Sequence, residues 1–230
     1  MDPILRVSHL AESPFEGARA VLFDLDGTLV HSSIDFAAMR DGLRGWATTR
    51  GLAAPEGPFD ILGYVAVATD HLGLTAGAHA AYEWRSGALA LLERMEQDYC
   101  LHAEAMPGAV EVLSALMRQS VACAIVTRNC RAVAARLVAA VGLEALPLVT
   151  RDDTPYWKPD PRHLWAGLAV TDAHGAPCVS IGDHWMDARA GRAAGATTIG
   201  LLHGRTPAAY AECPPDWLAE DLSAVAAWAA

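Results

Sequence analysis

The stretch FDLDGTLV, residues 23–30, decides the fold of this 230-residue chain. The stretch overlaps a short run of apolar, β-favouring residues that begins at Ala20 and ends at Asp24, and Asp26-Gly27-Thr28 follow soon after. This pattern predicts a buried strand followed by a turn. Gly27 lets the backbone turn tightly and approach a ligand closely. Two carboxylates on one turn, Asp24 and Asp26, are costly unless a cation or a proton compensates them, so the pair indicates metal binding or proton transfer.

A regular alternation of helices and strands follows residue 106. The pattern predicts helices at 109–119, 131–141, 160–168 and 186–194, strands at 121–127, 146–150, 178–183 and 197–202, and a last helix from Leu222. Continuous apolar strands separated by single helices are typical of a parallel sheet covered on both faces. We therefore predict a doubly wound α/β core made of residues 1–30 and 106–230.

The segment between these parts has a different pattern. Residues 31–105 carry apolar side chains at helical spacing, with Gly and Pro concentrated around residues 51–58. The sequence therefore predicts a second, all-helical domain inserted after the first strand.

Polar residues stand where the predicted strands end. Thr127 and Asp183 close two strands and Lys158 precedes a helix, so all three are expected at the same sheet edge as Asp24, where open parallel sheets bind ligands. Lys158 is the single lysine among 17 basic residues. Its compact ammonium suits a phosphate or a carboxylate.

Arg128 and Asn129 follow Thr127 at the predicted start of a helix. Backbone N–H groups at such a position suit an anion, which makes these residues, with Gly27, candidates for phosphate binding. The alternative is that Asn129 only caps the helix.

Composition narrows the class of protein. Hydrophobic residues make up 53% and charged residues 19% of the chain, which indicates a globular protein. With a net charge of −10, the chain does not have the basic character of nucleic-acid-binding proteins, which favours small-molecule chemistry.

Neither a membrane-spanning run nor a secretory signal is recognisable, so we expect a cytoplasmic protein without a membrane partner. Five scattered cysteines without CxxC spacing favour reduced thiols.

Four strings in this order resemble the motifs of the haloacid dehalogenase superfamily of hydrolases. They are FDLDGTLV (23–30), IVTRN (125–129), YWKPDP (156–161) and IGDHWMDARAGRAAGATTIGL (181–201). The chain resembles the phosphoglycolate phosphatase-like members, in which a helical cap domain is inserted between the first two motifs. The resemblance implies that residues 31–105 form this cap, which would close over the site.

The resemblance also implies a division of roles. Asp24 would be the nucleophile that becomes an aspartyl phosphate, and Asp26 the acid that protonates the leaving alcohol and then the base that activates water. Thr127 would donate a hydrogen bond to a phosphoryl oxygen. Lys158 would lie between Asp24 and the phosphoryl group.

A Mg²⁺ cofactor is implied as well, bound by Asp24, the main-chain carbonyl of Asp26, and Asp183, consistent with the preference of Mg²⁺ for oxygen ligands. Asp187 would orient a metal-bound water. The alternative for Asp187 is a charge that interacts with the helix dipole.

The predicted function is a Mg²⁺-dependent phosphatase of small phosphorylated metabolites such as phosphoglycolate or sugar phosphates. A phosphomutase on the same scaffold would use the same four motifs. A dehalogenase is disfavoured because that chemistry has no use for Asp26 as an acid. A phospho-accepting receiver-like signalling module also needs Asp, Thr and Lys at strand ends, but it would be labelled only once.

Overall fold

A computed structural model describes residues 5–6, 13–99, 102–173 and 175–230. The chain forms two compact units, a helical unit of Ser33–His102 and a core unit that comprises the rest of the described chain. None of the helices in these ranges is long and apolar enough to cross a membrane.

The described strands all belong to the core unit. They are β1 (Leu5–Arg6), β2 (Ala20–Phe23), β3 (Val30–Ser32), β4 (Ala103–Ala105), β5 (Ala122–Val126), β6 (Leu148–Val149), β7 (Cys178–Gly182), β8 (Thr197–Leu201) and β9 (Trp217–Ala219). The helices are α1 (Phe36–Thr48), α2 (Ile61–Thr75), α3 (Ala78–Tyr99), α4 (Ala109–Arg118), α5 (Arg131–Ala140), α6 (Pro161–Val170), α7 (Trp185–Ala194) and α8 (Leu222–Trp228).

The main sheet has the strand order β1-β9-β8-β7-β2-β5-β6. Its six strands from β9 to β6 are parallel, and β1 adds an antiparallel edge. The chain leaves β2 toward β5 and β6 on one side and later builds β7, β8 and β9 on the other, so the topology switches at β2. This order confirms the predicted doubly wound parallel sheet and places a ligand crevice beyond the carboxyl end of β2.

The register of the central strands brings their ends level. Phe23 of β2 pairs with Ile125 on one side and with Ile181 on the other. The residues that follow these positions therefore leave the sheet at the same edge, as expected for neighbouring parallel strands.

Alternate side chains of the central strands bury one face of the sheet. Leu22 and Val126 pack with Leu164 and Leu168 of α6 in one apolar cluster. Full burial of such a side chain stabilises the fold by about 1.5–3 kcal/mol. This packing fixes the strands, and with them the polar residues that follow the strands at the sheet edge.

A two-stranded ribbon connects the core unit to the insert. Strands β3 and β4 pair antiparallel, with Val30 opposite Ala105 and Ser32 opposite Ala103. The sequence pattern predicts a helical insert of residues 31–105, whereas the structure places the ends of that stretch in these strands of the core unit. Strands of three residues are too short to produce a period-two signal of their own.

The helical unit consists of α1, α2 and α3 around an aromatic cluster. The rings of Trp46 and Trp84 lie 4.8 Å apart between centroids. The indole N–H of Trp84 donates to the main-chain carbonyl of Val65 at 3.1 Å, so α2 and α3 are joined by a buried hydrogen bond. Asp35 caps α1 through its side chain.

Candidate active site

Lys158 lies between two carboxylates at the carboxyl end of β2. Its Nζ is 2.5 Å from Oδ1 of Asp24 and 2.7 Å from Oδ1 of Asp187. The Lys158 side chain is only 3% exposed, so these ion pairs are shielded from solvent. The structure thereby brings together residues from three of the four motifs.

The charge of Lys158 is maintained by its neighbours. Burial lowers the pKa of Lys158, but the carboxylates of Asp187 and Asp24 outweigh this effect and raise the pKa above its ordinary value. The main-chain N–H of Lys158 donates to Nδ1 of His163 at 3.2 Å. Burial lowers the pKa of His163 to about 3, with a smaller effect of the Lys158 charge. His163 is therefore a neutral acceptor that fixes the Lys158 backbone.

Asp24 and Asp183 have carboxylates that are costly to ionise without a cation. Burial raises the pKa of Asp24 to about 6, and the charge of Asp187 adds to the rise while Lys158 opposes it. Burial, followed by the charges of Asp24 and Asp187, raises the pKa of Asp183 to about 7. Partly desolvated carboxylates crowded in this way are stabilised by a bound cation.

The acidic cluster fits a hard divalent cation. Asp24, Asp183 and Asp187 each offer an oxygen within 4.8 Å of the others. Gly27 has a φ of +74°, and a Cβ there would lie 2.7 Å from Oδ2 of Asp183. Glycine is thus required both for the turn and for the space that the Asp183 carboxylate occupies.

Asp187 has a structural contact as well as its place in the cluster. It lies in the first turn of α7, where its Oδ2 accepts a hydrogen bond from the main-chain N–H of His184 at 3.2 Å. The imidazole Nδ1 of His184 accepts from the main-chain N–H of Met186. A Cβ on Gly182 would come within 2.2 Å of Asp187, so this glycine permits the carboxylate to face the site.

The carboxylate of Asp26 is held by two donors. Its Oδ1 accepts from the hydroxyl of Ser32 at 2.5 Å, and its Oδ2 accepts from the side-chain amide of Asn129 at 2.5 Å. Asn129 does not cap α5, because Cys130 occupies that position. The helix-cap alternative for Asn129 is therefore wrong, and Ser32 is a contact that sequence reasoning missed.

Thr127 and Arg128 are placed at the end of β5. Thr127 is buried, and its Oγ1 accepts from the main-chain N–H of Asn129 at 3.2 Å. Its hydroxyl hydrogen can therefore be donated elsewhere. Arg128 is half-buried, and its Nη1 contacts the sulfur of Met186 next to the acidic cluster.

The loop after β8 contributes two residues, His203 and Arg205, that the sequence motifs do not include. Nε2 of His203 lies 2.8 Å from the carbonyl oxygen of Gly27, which can only accept, so Nε2 carries the hydrogen. Nη2 of Arg205 donates to the carbonyl oxygen of Asp183 at 2.6 Å and lies 3.3 Å from its Oδ2. The sequence feature that could have identified His203 and Arg205 is their position just beyond the predicted strand at 197–202.

Two curated relatives resemble the chain over most of its length. The phosphoglycolate phosphatase (plasmid) of Cupriavidus necator is 31% identical over 216 residues, which are 90% of this chain and 91% of that protein. The N-acetylmuramic acid 6-phosphate phosphatase of Pseudomonas putida is 28% identical over 190 residues, which are 81% and 83% of the two chains.

Comparison with solved structures and with protein families agrees with these similarities. A hydrolase from Pseudomonas syringae superimposes with a TM-score of 0.62 and 25% identity over 90% of this chain and 95% of its own. The sequence model of the haloacid dehalogenase-like hydrolases matches residues 18–195, a range that includes Asp24, Lys158 and Asp183 but not the loop after β8. On this evidence the chain belongs to the haloacid dehalogenase-like hydrolase family.

Proposed function

We propose that the chain is a phosphatase that hydrolyses small phosphomonoesters through an aspartyl phosphate on Asp24. Family membership and the phosphatase-named relatives support the hydrolysis of phosphoric monoesters. The observation that carries the assignment of roles is the placement of Asp24 against Lys158, with Asp26 on the same turn.

In the first step, a carboxylate oxygen of Asp24 attacks phosphorus and the bond to the leaving alcohol breaks. Asp26 gives its proton to the departing oxygen, and the phosphoryl group remains on Asp24. In the second step, Asp26 takes a proton from water, whose oxygen attacks the phosphorus; the bond between phosphorus and the Asp24 oxygen breaks, which frees the Asp24 carboxylate and releases phosphate. Dividing the reaction into two steps lowers each barrier, and the contacts of Ser32 and Asn129 hold Asp26 for both transfers.

Hydrogen-bond donors of the core unit would stabilise the negative charge on the phosphoryl oxygens. Phosphoryl transfer depends mainly on positioning and on neutralising this charge. The Thr127 hydroxyl hydrogen and the Lys158 ammonium are the donors we assign, and Gly27 and Arg128 complete the anion site. The side-chain amide of Asn129 holds Asp26 through one of its two N–H groups, and the other can be donated to the phosphate.

The acidic cluster suits Mg²⁺, which would supply charge neutralisation for the phosphoryl group when bound. We assign Asp24, the main-chain carbonyl of Asp26, and Asp183 as its protein ligands. Asp187 holds Lys158 and would accept hydrogen bonds from water around the ion. The all-oxygen character of this set favours a hard cation over zinc.

The helical unit is proposed as a cap that limits the substrate to small molecules. Water exclusion by a cap strengthens electrostatic interactions in such sites. The net charge of −10 further disfavours polyanions such as nucleic acids, since like charge repels them at long range.

A phosphate-release screen with Mg²⁺ over phosphorylated metabolites tests the proposal, with phosphoglycolate, N-acetylmuramic acid 6-phosphate and sugar phosphates as the first panel. We expect many turnovers per enzyme for at least one compound and none with Asp24→Asn. Labelling of Asp24 without turnover would indicate a signalling module. Conversion of a sugar phosphate to an isomer without phosphate release would indicate a mutase.

A further inference from the structure

The loop of residues 202–206, which follows β8, contacts both turns of the candidate site. His203 reaches the carbonyl oxygen of Gly27 through Nε2 at 2.8 Å. Arg205 reaches the carbonyl oxygen of Asp183 through Nη2 at 2.6 Å. Glu220 holds this loop in place. The main-chain N–H of His203 donates to the carbonyl oxygen of Glu220, and the main-chain N–H of Gly204 donates to the Glu220 carboxylate.

Arg205 ties the ends of two neighbouring strands together. Besides Asp183, which follows β7, its Nη2 donates to the carbonyl of Leu201 at 3.0 Å, and its Nε donates to the carbonyl of Leu202 at 2.9 Å. The planar guanidinium serves these acceptors in fixed directions, which an ammonium on a flexible stem does not reproduce.

The Asp183 carboxylate is therefore confined on two sides. Gly27 lies against it so closely that a Cβ there would be 2.7 Å from Oδ2. Nη2 of Arg205 lies 3.3 Å from the same oxygen but only 2.6 Å from the main-chain carbonyl of the same residue. The shorter contact anchors the backbone, and the longer one leaves the carboxylate able to take a cation as ligand.

We propose that Arg205 is a positioning residue that holds the Asp183 carboxylate in place for the divalent cation. The inference rests on the metal assignment in the proposed function. The Arg205 side chain is 39% exposed, so solvent screens its charge, and orientation outweighs the repulsion between the guanidinium and the cation. Loss of such an outer contact typically weakens metal binding about 10- to 100-fold.

Isothermal titration of the metal-stripped full-length protein with Mg²⁺ tests the proposal. Arg205→Ala and Arg205→Lys should both bind Mg²⁺ about 10- to 100-fold more weakly than the wild type. Arg189→Ala, which removes an exposed arginine from α7, is the matched control and should bind as the wild type does. Thermal unfolding checks that each variant is folded. If Arg205→Ala does not fold, Arg205→Lys provides the test.

Three outcomes would overturn the inference. Wild-type or tighter Mg²⁺ affinity in Arg205→Ala would show that the contact does not position Asp183. Wild-type affinity in Arg205→Lys alone would assign the effect to charge and not to the planar group. Unchanged Mg²⁺ binding in Asp183→Asn would contradict the metal assignment of the proposed function, which separates that failure from the other two.

Discussion

The side-chain amide of Asn129 donates a hydrogen bond of 2.5 Å to Oδ2 of Asp26 across 103 residues of sequence. Asn129 is 4% exposed, so water does not compete readily for this contact. Together with Ser32 on Oδ1, it restricts the carboxylate to one orientation. In the proposed mechanism Asp26 is the proton donor, and it can protonate the departing oxygen efficiently only while its carboxyl group is held in the correct position.

Replacement of Asn129 should therefore affect substrates according to their leaving group. We expect Asn129→Ala to lower kcat about 10- to 100-fold for an alkyl phosphate, since a small misplacement of a reacting group has effects of this size. The loss should be much smaller for para-nitrophenyl phosphate, which leaves without protonation. Steady-state kinetics with both substrates measure the ratio. Cys130→Ala, in the same loop, is the control, and an equal loss for both substrates would contradict the positioning of Asp26.

Asp24→Asn should abolish turnover while preserving the shape of the side chain. Deleting a covalent nucleophile should lower kcat by about a thousandfold or more. Asp26→Asn should be nearly as severe for alkyl phosphates but milder for aryl phosphates. Phosphate release and trapping of the phosphoenzyme check both variants. If both retained full activity on both substrate types, the mechanism would be refuted.

Lys158→Arg should lower kcat by about a hundredfold or more, because the larger planar head cannot occupy the space of an ammonium between two carboxylates. The space is limited, since Nζ lies 2.5 Å from Asp24 and 2.7 Å from Asp187 in a side chain that is 3% exposed. Arg162→Lys, an exchange on an exposed pair with Asp160, should change kcat little. A wild-type rate for Lys158→Arg would show that the single lysine has no special role.

The pKa of Asp183 predicts a pH-dependent stability of the metal-free protein. Because burial and the charges of Asp24 and Asp187 raise this pKa from 3.8 to about 7 in the folded state, the unfolded chain releases the proton at a lower pH than the folded protein. Stability contributed by this group is therefore present at low pH and is lost as the pH rises from about 4 to about 7.

Asp183→Asn should accordingly raise the Tm of the metal-free protein at pH 8 and leave it nearly unchanged at pH 4. Each kcal/mol gained corresponds to about 2–4 °C in a chain of this size. Asp153→Asn is the opposite case. Burial raises the pKa of Asp153, but hydrogen bonds from Thr150 and Arg131 outweigh it and lower the pKa overall. This variant should be less stable than the wild type at pH 8. A lower Tm of metal-free Asp183→Asn at pH 8 would contradict the prediction.

Removal of divalent cations should abolish phosphate release, and added Mg²⁺ should restore it. Mg²⁺ should also raise the Tm of the wild type more at pH 8 than at pH 5, because protons compete with the cation for carboxylates whose pKa is raised. Differential scanning calorimetry at the two pH values measures the shift. Full turnover in the presence of EDTA would contradict the cofactor assignment.

Local patterns in the sequence suffice for five strands of the main sheet and for the residues at its edge, whereas the short strands β1 and β9 of that sheet were not predicted. The buried runs of β2 and β7 contain only small or apolar side chains and glycine apart from Ser180, and Asp24 and Asp183 follow them directly. Parallel pairing then requires these two residues to lie at the same edge. The ribbon strands β3 and β4 were not predicted because three residues carry too little periodic signal.

Contacts between distant loops could not be predicted in the same way. The amide of Asn129 could have capped a helix or bound phosphate, and only the packed loops bring it to Asp26. His203 and Arg205 belong to no recognisable motif, and their partners Gly27 and Asp183 are separated from them by 176 and 22 residues. Such contacts depend on tertiary packing and not on residue type.

The pairing of Ser32 with Ala103 in the β3–β4 ribbon has a consequence for the history of this architecture. Directly opposed residues of antiparallel strands lie about 4.5–5.5 Å apart, so the chain departs from the core and returns to it at practically one point. In topological terms the insert of Ser33–His102 is an elaborated hairpin loop. Genetic exchange of this segment, for a short turn or for a different module, therefore requires no change in the strand order of the core unit.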